Sequence, residues 1–316
     1  MAVGVLAACA RPADSPPAAP QPSSSQPTLP AGWRWESYGG VQVGVPADWG
    51  WASQALRLDA WCIKPGNHPP AVARPGAGVP AIGCPAATNG TPTGSLITNT
   101  GWTVGFARTD RPDGITHEGD RTTIRRDTVE VIVQAPQQLR DQITATVHQV
   151  EVDSAGCPTS HRISTGPDLR PTPPADLATL RDVTSVSVCK YPLPETSPAL
   201  SPRLLSSLRL DGAAAADEIQ QIAAAPIGAG DLDTPADCAP EVAHGDQIIL
   251  LLIRAATGTS EATVRYAGCV QNGFDDGTTV RRLTKPAVAP LVTGPNQIYG
   301  GFAGQPEKNE MLLPHD

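Results

Sequence analysis

The segment DQIILLLIRA, residues 246–255, constrains the fold more than any other part of the chain. Ile248 to Ile253 are six uninterrupted large apolar residues, the longest such run in the interior of the sequence. As a strand they put apolar side chains on both faces of the pleat. Such a strand belongs in the middle of a sheet with a covering layer on each side. The run is too short to cross a bilayer, which takes about 18–20 apolar residues.

The neighbouring pattern supplies those layers. DVTSVSVCKY predicts an alternating strand with Val186 and Val188 on one face and Cys189 and Tyr191 on the other. A helix is predicted over 213–225, with Asp211 as its cap and Ile219, Ile222 and Ala223 on its apolar side. EATVRYAGC and GTTVRRL read as two further strands around the turn-rich QNGFDDG, and Thr284-Lys285-Pro286 opens a short helix toward Val292. This is a second domain over 183–294, with 295–316 expected as a loose tail. CPTSHRISTGPDLRPTPPADL breaks all periodicity, so 154–182 is expected as a seam.

Before the seam, 33–153 reads as a first domain. GGVQVGVP alternates, with Val41, Val43 and Val45 on one face, and Pro46 ends the strand in a turn. Strands are predicted at 102–107, 122–125 and 128–134, a helix at 137–147 and a closing strand at 148–152. The fold class is therefore α+β: two small, mostly antiparallel-sheet domains with one or two helices each, following a disordered N-terminal tether.

Cysteines tighten the picture. Setting Cys9 aside, Cys62, Cys84, Cys157, Cys189, Cys238 and Cys269 are even in number. There is no C-x-x-C, and the histidines (68, 117, 148, 161, 244, 315) never fall at ligand spacing, so a metal site is not expected. Disulfides are the preferred reading over free thiols. Six cysteines allow about 15 connectivities, of which neighbour pairing (62–84, 157–189, 238–269) is the simplest.

The N-terminus points to a location. Leu6-Ala7-Ala8-Cys9 follows a short apolar run, and 10–32 is a Pro/Ser/Ala-rich stretch with nothing to bury. The first element resembles the lipobox that closes a bacterial lipoprotein signal peptide, although the run is short and no basic residue precedes it. That resemblance implies removal of 1–8, acylation of Cys9 and attachment to a membrane, with 10–32 as an extended spacer. The order from W-x-W-E-S-Y through G-C-P and V-C-K-Y to D-D-G-T-T-V-R-R-L is similar to uncharacterised actinobacterial secreted lipoproteins, which implies the extracytoplasmic face of the membrane or the medium. Over 36–153, Y-G-G-V-x-V-x-V-P-x-x-W and VEVIVQAPQQLRDQITATV resemble the two ends of PsbP/Mog1-like domains. Those bind partners or small ligands, and no residue role is transferred.

Catalytic signatures are missing. The net charge of −8 argues against nucleic acid, whose phosphates need clustered Lys and Arg. Ser187-Val188-Cys189-Lys190 matches S-x-x-K, but in a strand its serine and lysine point to opposite faces. Asp275-Asp276-Gly277 has oxygens for a cation without the order of a calcium loop, and reads as a hairpin turn. Asp231, Asp233, Asp237 and Glu241 read as solvated surface. No catalytic residue, metal ligand or cofactor is therefore assigned.

All six tryptophans lie between 33 and 102. Trp33 and Trp35, and Trp49 and Trp51, share strand faces by spacing. They are candidates for a sugar-stacking surface, against the alternative that they fill the core of an aromatic-poor domain. The expected function is a non-enzymatic binding or interaction module of the cell envelope, its partner an envelope protein or a glycan. The rival is an exported hydrolase whose active site is assembled only in space.

Overall fold

A computed structural model describes residues 27–51, 69–74, 102–166, 168–193, 202–229, 238–239, 243–298 and 306–313. Cys9, Trp61, Cys62 and Cys84 lie outside them, as do Asp231, Asp233, Asp237 and Glu241. The α+β class is borne out, with fifteen strands and four helices among the described residues.

The first body has two sheets. In one, β1 (Trp33–Tyr38), β2 (Val41–Pro46) and β9 (His148–Gln149) pair antiparallel in the order β1-β2-β9. The other contains β3 (Gly50–Trp51), β4 (Ala71–Ala73), β5 (Thr103–Arg108), β6 (Gly114–Glu118), β7 (Arg121–Arg126) and β8 (Val129–Gln134), ordered β3-β4-β5-β8-β7-β6. Its β3-β4 and β4-β5 pairs at one edge are parallel, within an otherwise antiparallel sheet. Tyr38, Val41, Val43, Val45, Trp49, Val72, Val104, Phe106 and Val131 form the core between the sheets, which α1 (Gln137–Thr144) closes with Ile143. Gly39 and Gly40 turn the β1-β2 hairpin at φ 58° and 96°, left-handed values that glycine adopts without strain. A β-carbon at Gly39 would also meet Val129 Cγ2 at 2.7 Å.

The second body is one antiparallel sheet, β11-β10-β12-β13-β14-β15. It is built from β10 (Ser185–Pro192), β11 (Ser206–Asp211), β12 (Gln247–Ala255), β13 (Gly258–Arg265), β14 (Gly273–Asp275) and β15 (Val280–Arg281). As its composition requires, β12 is central and almost wholly buried. On one face Val186, Val188, Ile249, Leu251, Ile253 and Val264 pack under α2 (Ala213–Ala224) and α3 (Lys285–Val288). On the other, Cys189, Tyr191, Ile248 and Leu250 pack under Cys157, Ile163 and Leu204.

Four expectations are corrected. Residues 154–182 are no seam but the cover of that second face. They lack periodicity because their backbone is held by side chains of the sheet: Tyr191 Oη donates to Pro158 O (2.5 Å), Ser187 Oγ to Ala155 O (2.5 Å) and Arg265 Nη2 to Leu169 O (2.9 Å). Residues 295–316 are not a loose tail throughout. Asn296 and Ile298 are buried, and α4 (Pro306–Leu312) seats Lys308 and Leu312 in the interior, Lys308 Nζ donating to Gly268 O. The end of the expected 10–32 spacer is not free of the body, since Leu29 already lies against Gly44. Gly212 (φ 56°), not Asp211, stands at the start of α2.

Two of the three expected disulfides lie among the described residues. Cys157–Cys189 (Cα–Cα 5.5 Å) ties the cover to β10, and Cys238–Cys269 (6.2 Å) ties the connection after α2 to the one between β13 and β14. The bodies meet directly. Gly39 N–H donates to Leu204 O (2.7 Å), Gln42 Nε2 donates to Ser154 Oγ (2.8 Å), and Leu205 packs on the first core.

Candidate functional site

The tryptophans proposed as a binding surface do not form one wall. Trp49 is 3% exposed and belongs to the core. Trp51 is covered by protein: the Arg34 guanidinium lies 4.3 Å from the ring centroid, and Gly294 approaches so closely that a β-carbon there would sit 3.3 Å from the ring. Trp35 meets His148 edge-on at 5.0 Å, and Trp33 is half-buried on the first core. Among the described residues, the tryptophan with an open surface is Trp102, 48% exposed, which precedes β5. A stacking platform needs an aromatic face open to the ligand, and neither Trp49 nor Trp51 offers one.

The most elaborate polar arrangement lies where the bodies meet. Glu36, buried on β1, accepts from Arg34 Nε (2.7 Å), Arg74 Nη2 (2.5 Å) and Trp51 Nε1 (2.9 Å). Arg74 also donates to Ser37 O and lies over the Phe106 ring. Across the junction Lys190 is buried, and its Nζ donates to the backbone carbonyls of Asn296 (3.2 Å) and Gln297 (3.4 Å). Asn296 in turn accepts from Ser206 Oγ (2.6 Å). Burial, opposed by Asp246 and reinforced by Arg74, lowers the Lys190 ammonium to about 8. A lysine in that range is a nucleophile in principle. Here its donors are committed to two backbone carbonyls, so its demonstrable work is to fasten the turn after α3 to β10.

A hydrolase would need a histidine poised between a carboxylate and a nucleophile. His161 Nε2–H donates to Glu261 Oε1 at 3.2 Å, which supplies the first half. The other ring nitrogen, Nδ1, accepts the Ile163 N–H (3.3 Å) and caps the 3-10 turn 162–165. Nearby hydroxyls are turned elsewhere: Ser164 Oγ donates to His161 O (2.7 Å) and Ser187 Oγ to Ala155 O. Both ring nitrogens are thus occupied by structural partners. Ser187 and Lys190 do lie on opposite faces of β10, as expected from the strand.

The hairpin expected at QNGFDDG forms, with β14 and β15 pairing around Asp276–Thr279, and its aspartates are buried and structural. Asp275 accepts both Nε and Nη2 of Arg170 (2.7 Å each), a pairing that raises the guanidinium pKa. Asp276 accepts the N–H groups of Leu177, Thr278 and Thr279 at 3.1, 2.8 and 2.6 Å. These oxygens fasten the 170–177 cover to β14 and are not aimed at a cation. No cluster of His, Cys, Asp or Glu with metal-holding geometry occurs among the described residues.

One group escaped the sequence reading. Glu218 on α2 is 2% exposed, neither carboxyl oxygen has a hydrogen-bond partner among the described residues, and burial pushes its carboxyl up to about 8. Its signal was present, since 218 stands one turn from Ala215 and Ile222 on the apolar face. The bodies also leave a crevice between Tyr38, Gly39, Arg108, Val129, Arg203 and Leu205, of about 10 Å³, room for one water.

No family model, no curated protein and no solved structure matches this chain.

Proposed function

We propose that this is an exported, lipid-anchored envelope protein that acts by binding, without catalysis of its own. The observation that carries the reading is the buried Cys157–Cys189 bond, a covalent tie between a sheet and its cover. Such bonds persist in oxidising compartments. The Leu6-Ala7-Ala8-Cys9 sequence and the spacer behind it add an attachment point. The non-catalytic half of the reading is supported by the way His161, Ser164, Ser187, Lys190, Asp275 and Asp276 are committed to partners that hold the fold together.

Non-reducing mass spectrometry of the mature protein from a bacterial host tests the location. The expected product begins at Cys9, carries lipid there, and has six cysteines paired. A chain released into the medium with an unmodified Cys9 would overturn the anchor. Assays with ester, amide and glycoside substrates test the other half, with no turnover expected; turnover abolished by His161→Ala would replace the binding reading with the hydrolase.

A further inference from the structure

The six-stranded sheet of the first body ends on β6, and three observations on that edge converge. Among the described residues the strand G-I-T-H-E is paired only with β7, and residues 115–118 are exposed. Ile115, 53% exposed, continues the row Phe106–Val131–Ile124 from the core out to the open edge. Arg125, opposite Gly114 on β7, lays its guanidinium across that glycine, so that a β-carbon on Gly114 would meet Nη2 at 3.5 Å. Arg125 is held there by Pro112 O (3.2 Å) and by Glu130 of β8 (3.7 Å), which leaves its Nη2 over the outer strand at a residue with no side chain to block it. Exposed edges are usually blunted by proline, lysine or a bulge. β6 contains none of these.

We propose that β6 is the pairing edge for a second copy of this chain. Two β6 strands pair antiparallel about a two-fold axis through Thr116, joining both sheets into one. In that register Gly114 faces Glu118 of the second copy, on the same face of the sheet. Each Glu118 then lies between Arg121 of its own hairpin and the Arg125 that overhangs the partner's Gly114, and the arrangement repeats on the other side of the axis. On the opposite face each Ile115 faces a His117 of the second copy, covering the exposed end of the apolar row. Asp113 and Asp120 stand at the two ends of the strand, outside the paired rows. A five-residue edge is a small interface, so the association is weak and concentration-dependent.

Sedimentation velocity on the full chain from about 1 to 500 µM tests it. A monomer–dimer equilibrium is expected. Glu118→Arg or Arg125→Glu alone sets like charges together at both pairs and raises the dissociation constant at least about tenfold. Mixing those two variants restores association, because both cross-pairs in the mixed dimer are then opposite in sign. His117→Pro, which removes a donor facing the open edge (the Thr116 N–H is turned inward to Thr123 of its own hairpin), abolishes it. Since Arg125 also donates to Pro112 O, circular dichroism confirms its variant is folded. Should it not be, Glu118→Arg against Glu118→Gln gives the charge dependence at an exposed site. A chain that stays monomeric throughout, a dimer indifferent to the reversals, or single-variant losses that mixing does not repair would overturn the proposal.

Discussion

Replacing Glu218 by glutamine is expected to stabilise the protein at neutral pH, and the size of the effect follows from where the carboxyl sits. It is buried on the inner face of α2 without a hydrogen-bond partner among the described residues, and burial raises its pKa from 4.5 to about 8. At pH 7 the folded protein holds a proton that the unfolded chain has released. Each pH unit between the two values then costs about 1.4 kcal/mol of stability. The carboxyl's contribution is fully present below about 4.5 and is lost as pH rises toward 8. From 4.5 to 7 the loss amounts to about 3 kcal/mol, and over the whole interval to about 5. Glutamine has nearly the same shape and no charge to release, so E218Q is close to wild type at pH 4.5 and more stable by about 3 kcal/mol at pH 7. Urea unfolding of both proteins at pH 4.5, 6, 7 and 8.5, disulfides intact, measures the difference. It should widen with pH and level off above about 8. Two curves that run parallel across that range would refute the reasoning, because they would mean that Glu218 ionises in the folded state as freely as in water.

Three other perturbations read different parts of the molecule. Lys190 has the opposite linkage: lowered from 10.5 to about 8, it loses its proton on folding, so stability should rise by about 3 kcal/mol between pH 8 and 10.5 in wild type and not in Lys190→Met. Glu36→Gln leaves Arg34 and Arg74 with a neutral partner in a buried site, and is expected to cost about 3–5 kcal/mol by chemical denaturation. Cys157→Ser with Cys189→Ser opens a link spanning 32 residues and should lower stability by about 3–4 kcal/mol, measured against the same protein with the other disulfides intact.

The parts of this fold that could be read from sequence are those whose side chains repeat along the element itself. β12 was legible because Ile248 to Ile253 fill both sides of a strand, and α2 because Ala215, Ile219 and Ile222 recur at helical spacing. β11 was missed: Leu208 and Leu210 are its only large apolar residues, and each is only partly buried. The 154–182 cover and α4 were hidden for a different reason. Their order comes from contacts between residues distant in sequence, such as Tyr191 Oη on Pro158 O and the bidentate hold of Arg170 on Asp275, across 33 and 105 residues. A seven-residue helix such as α4 has too few internal bonds to persist alone, so its docking is a property of the pocket that receives Leu312. The same division governs the candidate sites. Tryptophan spacing put Trp49 and Trp51 on one strand face, whereas β3 holds only Gly50–Trp51 and Trp49 precedes it in the core, and the spacing carried no information on what lay over either ring. Arg34 and Gly294, the first on β1 of the other sheet and the second 243 residues away in sequence, decide that this ring is a structural filler. Glu218 marks the limit most sharply. Its position was readable from helical spacing, but its missing partners exist only once α2 has been laid against the sheet.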